Sequence, residues 1–293
     1  MRIALIIHPR SEGETRVEAL RTEVERLRAE GHRVSPRLTF ERGDAARLAA
    51  SASRAGMELV IAAGGDGTIN EVVNGIHRSE RQPRLAVVPT GTANDFAAGL
   101  GLPLEVRDAI DVAVGGRARP VDVALANRRA FVNVSTGGFG ADATKPTPSD
   151  AKRRLGPWAY LVGGVKKIVE LKPMRARFRA DGELLHEGKF MLFAVGNARQ
   201  TGGGTFLTPR AEFGDGRLDV VIVPGMSRVD FLALLPDLRA GSHLQSRDVL
   251  YAQAARFDVE AESSLNVNVD GEPLSGRRFR YEVSARPIMV MCP

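Results

Sequence analysis

The 293-residue chain is 43% hydrophobic and 26% charged, the balance of a soluble globular protein with ample length for a buried core. Its single cysteine, Cys292, excludes an internal disulfide and a Cys-rich zinc site. No run approaches the roughly 18 apolar residues of a membrane span, and the apolar stretch 3–7 is too short for a secretory signal, so the chain reads as cytoplasmic. The net charge of +6 is unevenly spread: residues 145–180 hold ten Lys or Arg and two acids. Such a segment suits either a solvated face or contact with phosphates, including those of an anionic membrane surface.

In chain order, residues 3–7 predict a short buried strand. Val17, Leu20, Val24 and Leu27 recur at helical spacing and are stopped by Gly31. A strand over 34–40 follows, then a helix on Ala45, Leu48, Ala49 and Ala52 that ends near Gly56. Residues 59–63 form an apolar strand running into Gly64 and Gly65. Ile69, Val72, Val73 and Ile76 mark a third helix, 85–88 another strand and 92–100 another helix. This alternation predicts an α/β domain, a parallel sheet with helices on both faces. After Pro120 the pattern changes: Val121, Val123 and Leu125 alternate, and strands follow over 175–179, 190–195, 218–223, 255–259, 265–269 and 279–283. Helix signals there are confined to 157–171 and 229–238. The second part is therefore mainly antiparallel β, with the boundary near residue 120, giving domains 1–120 and 121–293.

Gly64-Gly65-Asp66-Gly67-Thr68 lies between a strand and a helix. Glycines allow close backbone approach to a ligand, and a helix N-terminus offers free N–H groups and a positive dipole end to an anion. Thr68 and Glu71 stand at capping-box spacing, as do Thr92 and Asp95 after the second glycine turn, Pro89-Thr90-Gly91. Two such turns side by side at the carboxyl ends of strands suit a polyphosphate. Asp66 would repel a triphosphate unless a divalent cation lies between them, so the sequence asks for Mg²⁺. There is no Walker-type P-loop, no protein-kinase signature and no His-Glu-x-x-His pair among the five scattered histidines. Gly138-Phe139-Gly140 is read as a loop. In the second half, Asp215 between Gly214 and Gly216 suits either a hard cation or a β-turn. Asp270-Gly271-Glu272 repeats Asp181-Gly182-Glu183, and spacing alone makes both hairpin turns.

Taken together, GGDGTINEV (64–72), PTGTANDFA (89–97), FVNVSTGGFG (131–140), GNARQTGGG (196–204), GDGRLDV (214–220) and NVDGEPLSG (268–276) resemble the diacylglycerol kinase catalytic family. The first motif alone is shared with NAD kinases and sphingosine kinases; the ordered set is specific. The resemblance implies a nucleotide-binding α/β domain, a C-terminal β-sandwich that carries the lipid substrate, an active site between them, and room for the last few residues to return to the first domain. It implies ATP contacts at Gly65, Asp66, Gly67, Thr68, Ile69, Asn70, Glu71, Thr92 and Thr39. It implies a cation, Mg²⁺ or Ca²⁺, at Asp215 with the main-chain oxygens of Glu212 and Arg217, and Glu272 as catalytic base. The implied reaction is transfer of the ATP γ-phosphoryl group to a lipid hydroxyl, with phosphatidylglycerol as the acceptor. Diacylglycerol, a sphingoid base and an NAD-kinase-type soluble acceptor are the alternatives. The implied partners are ATP, the lipid and an anionic membrane surface met peripherally through 145–180, with no nucleic acid; the oligomeric state is unreadable.

Overall fold

The computed structural model describes residues 1–9, 14–139 and 173–293. The segments 140–143 and 157–171, the cations Lys152, Arg153 and Arg154, and the aromatics Trp158 and Tyr160 lie outside the described residues, as does most of the basic stretch 145–180.

The first layer system is built from β1 (Arg2–Ile7), α1 (Glu14–Ala29), β2 (Arg33–Leu38), α2 (Asp44–Arg54), β3 (Leu59–Gly64), α3 (Asp66–His77), β4 (Arg84–Pro89), α4 (Asp95–Gly99) and α5 (Val106–Gly115). All six residues of β3 are buried. A strand that is apolar on both sides belongs inside a parallel sheet covered twice. That is its place: β1, β2, β3 and β4 pair in parallel, with Ile3 opposite Leu59 and Leu59 opposite Arg84. One face packs against Ala45, Ala49 and Ala52 of α2 and Ile69, Val72, Val73 and Ile76 of α3. The other packs against Leu20, Val24 and Leu27 of α1 and Val106, Ala109, Ile110 and Ala113 of α5. Each fully covered Ile, Leu or Val contributes roughly 1.5–3 kcal/mol by leaving water. Val17 is exposed, so the inward face of α1 begins one turn later than its spacing suggests. Helix α5 escaped the sequence reading because two of its four inward residues are alanines, which signal burial weakly.

The chain then forms β5 (Arg117–Val121), β6 (Ala124–Ala126), β7 (Arg129–Phe131) and β8 (Val134–Gly138). Beyond it come β9 (Met174–Ala180), β10 (Glu183–Gly196), β11 (Leu218–Pro224), α6 (Arg228–Ala240), β12 (Leu250–Ala254), β13 (Arg256–Val269), β14 (Glu272–Val283) and β15 (Ile288–Cys292). Nine of these strands make an antiparallel system in the order β12-β11-β10-β8-β13-β14-β6-β7, with β9 bridging β10 and β13. The long strands β10 and β13 pair with both β8 and β9, which folds the sheet around a core of aromatic rings. Phe178, Phe190, Phe193, Phe257 and Tyr281 stand there with centroids 5.1–6.4 Å apart. The α/β-then-antiparallel fold class is thus the one expected. The terminal strand β15 leaves the second sheet and inserts between β4 and β5, completing the six-stranded order β2-β1-β3-β4-β15-β5. The chain therefore crosses the junction between the two sheets twice.

Candidate active site

The two glycine turns meet at the carboxyl edge of the parallel sheet. Thr90 N donates to Gly64 O at 3.1 Å, and a Cβ on Gly91 would lie 2.5 Å from the Cα of Gly65. Only glycine allows that approach. Helix α3 begins directly after the strand, with Gly65 as its N-cap and no side-chain cap. This corrects the expected Thr68–Glu71 capping box: Thr68 already lies inside the first turn. The box expected at Thr92 and Asp95 is corrected likewise, because α4 starts at Asp95 behind Asn94, which is left-handed at φ 51°. The N–H groups of the first turn of α3 are consequently not taken by a capping side chain, which strengthens the turn as an anion site.

Glu71 is used elsewhere. Its carboxylate accepts Gly43 N at 2.9 Å and Ala45 N at 3.2 Å, and so caps α2. Asn70 and Ile69 also face inward: Ile69 is buried, and the Asn70 amide donates to Ala130 O and Asp270 Oδ2. Thr39 is buried at the end of β2, its hydroxyl donating to Ile7 O and paired with His8 Nδ1 at 2.8 Å. Thr92 is exposed on the second turn.

Asp66 Oδ1 accepts Phe96 N at 3.1 Å and is approached by Asn133 Nδ2 at 3.5 Å. Asp95 is buried and accepts Gln200 Nε2 and Gly203 N, both at 3.1 Å. Burial pushes the Asp95 pKa up, and the charge of Asp66 adds to the effect. Asn133 Oδ1 and Asn197 Oδ1 are buried acceptors with no hydrogen-bond partner. Asn197 Nδ2 donates to Asp122 O and Val132 O, while Asp122 Oδ2 accepts Gly216 N at 2.7 Å.

The two Asp-Gly-Glu repeats are both hairpin turns. Asp181 and Gly182 stand at φ 49° and 90°, Asp270 and Gly271 at 49° and 89°. The carboxylates part company. Asp181 accepts the exposed Ala255 and Arg256 N–H groups. Asp270 takes four donors at the junction of the sheets: Val132 N, Asn133 N, Val134 N and Asn70 Nδ2, at 2.8–3.2 Å. Desolvation outweighs these bonds and pushes the Asp270 pKa up to about 6.

Glu272 opens β14 beside a groove of about 480 Å³ that runs along α3. Arg42, Arg78, Arg128 and Arg129 line it. Glu272 is ion-paired with Arg42 and, at 3.4 Å, with Arg129. The Arg129 pKa is lowered, chiefly by burial and next by the charge of Arg42, so the cluster holds more positive charge than Glu272 neutralises.

Glu212, Asp215 and Arg217 share one exposed turn. Asp215 Oδ1 accepts Arg217 N at 2.9 Å, and Glu212 is paired with Arg199 at 3.7 Å. Phe213 from this turn packs edge-on against Phe96 of α4, 5.5 Å between centroids. Among the described residues no three His, Cys, Asp or Glu side chains gather as a metal cage. The sequence reading missed Asn133, Asn197, Asp122 and Gln200. Three of these lie within or beside motifs it quoted, but nothing local marks an amide as a hub of tertiary bonds.

The motifs thus converge in space, and comparison with known proteins decides their meaning. The model of the diacylglycerol kinase catalytic domain matches residues 2–126, and that of the YegS C-terminal NAD kinase beta sandwich-like domain matches residues 133–292. The chain belongs to the diacylglycerol kinase catalytic family, in its YegS branch. It is similar to a Pseudomonas aeruginosa protein named "Probable lipid kinase YegS-like", 38% identical over all of this chain and 94% of that one. An Escherichia fergusonii protein named "Probable lipid kinase YegS" is 38% identical over 91% and 88% of the two chains. A solved structure from Bacillus anthracis superposes with a TM-score of 0.82 at 26% identity, covering 100% of this chain and 97% of that one. Membership makes the chain an ATP-dependent lipid kinase. No helix among the described residues is long and apolar enough to cross a membrane.

Proposed function

We propose that the chain transfers the ATP γ-phosphoryl group to a hydroxyl of phosphatidylglycerol, with Glu272 as proton acceptor. The observation that carries this reading is the position of Glu272 among Arg42, Arg78, Arg128 and Arg129, in a groove along the helix whose first turn is the phosphate site. A phosphodiester headgroup answers a surplus of guanidinium charge; the neutral headgroup of diacylglycerol does not. An anionic phosphate seated on Arg42 and Arg129 would compete with Glu272 for them and release its carboxylate toward the acceptor hydroxyl.

The nucleotide is placed by Gly65, Asp66, Gly67 and Thr68, with Thr92 on the neighbouring turn. Ile69, Asn70, Glu71 and Thr39 support this edge: Ile69 is buried, and the side chains of the other three are bonded within the protein. Positioning and charge neutralisation are most of what phosphoryl transfer requires. The residues present fit Mg²⁺: Asp66, Asp95 and the partnerless Asn133 Oδ1 are hard oxygen donors, and the lack of a full cage suits an ion shared with phosphates. That ion would supply charge neutralisation on the phosphates. A second cation, Mg²⁺ or Ca²⁺, is assigned to Asp215 with the main-chain oxygens of Glu212 and Arg217, on a turn bent by Gly214 at φ 89° and Gly216 at φ 72°. With ATP as donor and a membrane lipid as acceptor, the site of action is the cytoplasmic face of an anionic membrane, reached peripherally.

The test is labelled ATP with vesicles of phosphatidylglycerol, diacylglycerol or sphingosine, and with NAD in solution. Label in phosphatidylglycerol, lost in Glu272→Ala, is the expected result. Preferential labelling of diacylglycerol or NAD would reject the acceptor, and full activity of Glu272→Ala would reject the base.

A further inference from the structure

We infer that Asp270 is a positioning residue for phosphoryl transfer: through Asn70 it fixes the distance between the phosphate-binding helix and Glu272. The inference rests on the reading of Glu272 as proton acceptor. Asp270 cannot be that acceptor itself, because its two oxygens already receive four N–H donors, and it is not among the residues that line the groove. Those donors come from two bodies. Val132, Asn133 and Val134 belong to the segment that enters β8; Asn70 belongs to the second turn of α3. Glu272 follows Asp270 by two residues across a two-residue turn, with no slack between them.

The bond is built to hold one geometry. Asn74 Nδ2 donates to Asn70 Oδ1 at 3.1 Å, so the Asn70 amide is braced on its carbonyl side while its nitrogen reaches Asp270 at 2.9 Å and Ala130 O at 3.2 Å. Closing the hairpin does not require this carboxylate. Gly271 N donates to Asn268 Oδ1 at 2.8 Å, and the Asp181-Gly182 turn adopts nearly the same dihedral angles with its aspartate bonded only to exposed backbone. What the half-buried Asp270 adds is a tie between the hairpin and α3. Catalysis is where such a tie matters, since a displacement of about 1 Å in a reacting group costs on the order of 100-fold in rate.

The test compares Asp270→Asn, Asn70→Ala and the double variant with Glu272→Gln. Asp270→Asn and Asn70→Ala should each lower kcat about 10- to 100-fold, with KM for ATP near wild type and a loss larger than any change in the folded fraction. The double variant should be no worse than the weaker single, because both remove one bond. A purely structural role would lower kcat only as far as the folded fraction falls, and that pattern would overturn the inference. So would a rise in KM for ATP that accounts for the loss, or full additivity of the two substitutions. If Asp270→Asn does not fold, Asn70→Ala decides alone: wild-type kcat rejects the tie. Glu272→Gln separates the two readings. Unchanged transfer in that variant removes the base assignment, whereas abolished transfer beside wild-type Asp270→Asn and Asn70→Ala removes only the positioning role.

Discussion

Asp66 and Phe96 are bonded across two helices: the carboxylate of the first glycine turn accepts the backbone N–H that opens α4, at 3.1 Å. One side chain therefore orients both turns and keeps its charge at their meeting point. Asp66→Ala should cost about 1 kcal/mol of stability, as the loss of a helix cap does. It should also cost roughly 100-fold in kcat, the scale of losing one electrostatic partner of a transferring group. Thermal melting and steady-state kinetics on the same variant check both; a stability loss without a kinetic one would leave Asp66 a cap alone.

The contact of the glycine turns gives a sharper steric expectation. A methyl group on Gly91 would stand 2.5 Å from Gly65 Cα, while one on Gly115 of α5 meets nothing within 4 Å. Gly91→Ala should separate the turns and weaken ATP binding at least tenfold, measured by calorimetry. Gly115→Ala should bind ATP normally and gain about 0.5–1 kcal/mol from helix propensity.

Glu71 supplies a test of where the nucleotide ends and the acceptor begins. Its two bonds cap α2 at Gly43 and Ala45, next to Arg42 in the groove. Glu71→Ala should destabilise by roughly 0.5–2 kcal/mol. It should raise KM for the lipid more than KM for ATP, because Arg42 loses its footing while the first turn of α3 stays intact. The reverse order in initial-rate kinetics would return Glu71 to direct nucleotide contact.

Stability should also respond to pH in a defined window. The Asp270 carboxyl, ordinarily near 3.8, is raised to about 6 in the fold. Between these values the native state binds more protons than the unfolded chain, so stability falls as pH rises from about 4 to about 6 and is level above that. The contribution is on the order of 3 kcal/mol. Asp44 and Glu58 act oppositely, their pKa values lowered first by backbone N–H donors, and what they contribute is lost as pH falls through those lowered values. Melting temperature followed from pH 4 to 7 should show a shallower decline in Asp270→Asn than in wild type; identical slopes would reject the desolvated charge.

Strands β1 to β4, the helices between them and the change to antiparallel structure after Pro120 are legible in the residues alone. Those signals are local: unbroken apolar runs such as 59–63, helical spacing in α3, and paired Asp-Gly turns. The ordered motifs also determined the family, because six short glycine- and amide-rich stretches rarely coincide without the site they build. Which carboxylate does what depends on the folded chain. Asp181 and Asp270 sit in like turns, each followed by Gly-Glu, and they differ because one faces water and the other faces Asn70 and the backbone of 132–134. Glu71 stands at capping-box spacing in its own helix and caps α2 instead. The arginines beside Glu272 come from the loop before α2, the end of α3 and the β6–β7 hairpin, at positions 42, 78, 128 and 129, and no periodicity links them. Hydrogen-bond partners and local charge are set by which backbone groups arrive from elsewhere in the chain, and that is fixed only when β15 and the β13–β14 hairpin bring the two sheets together.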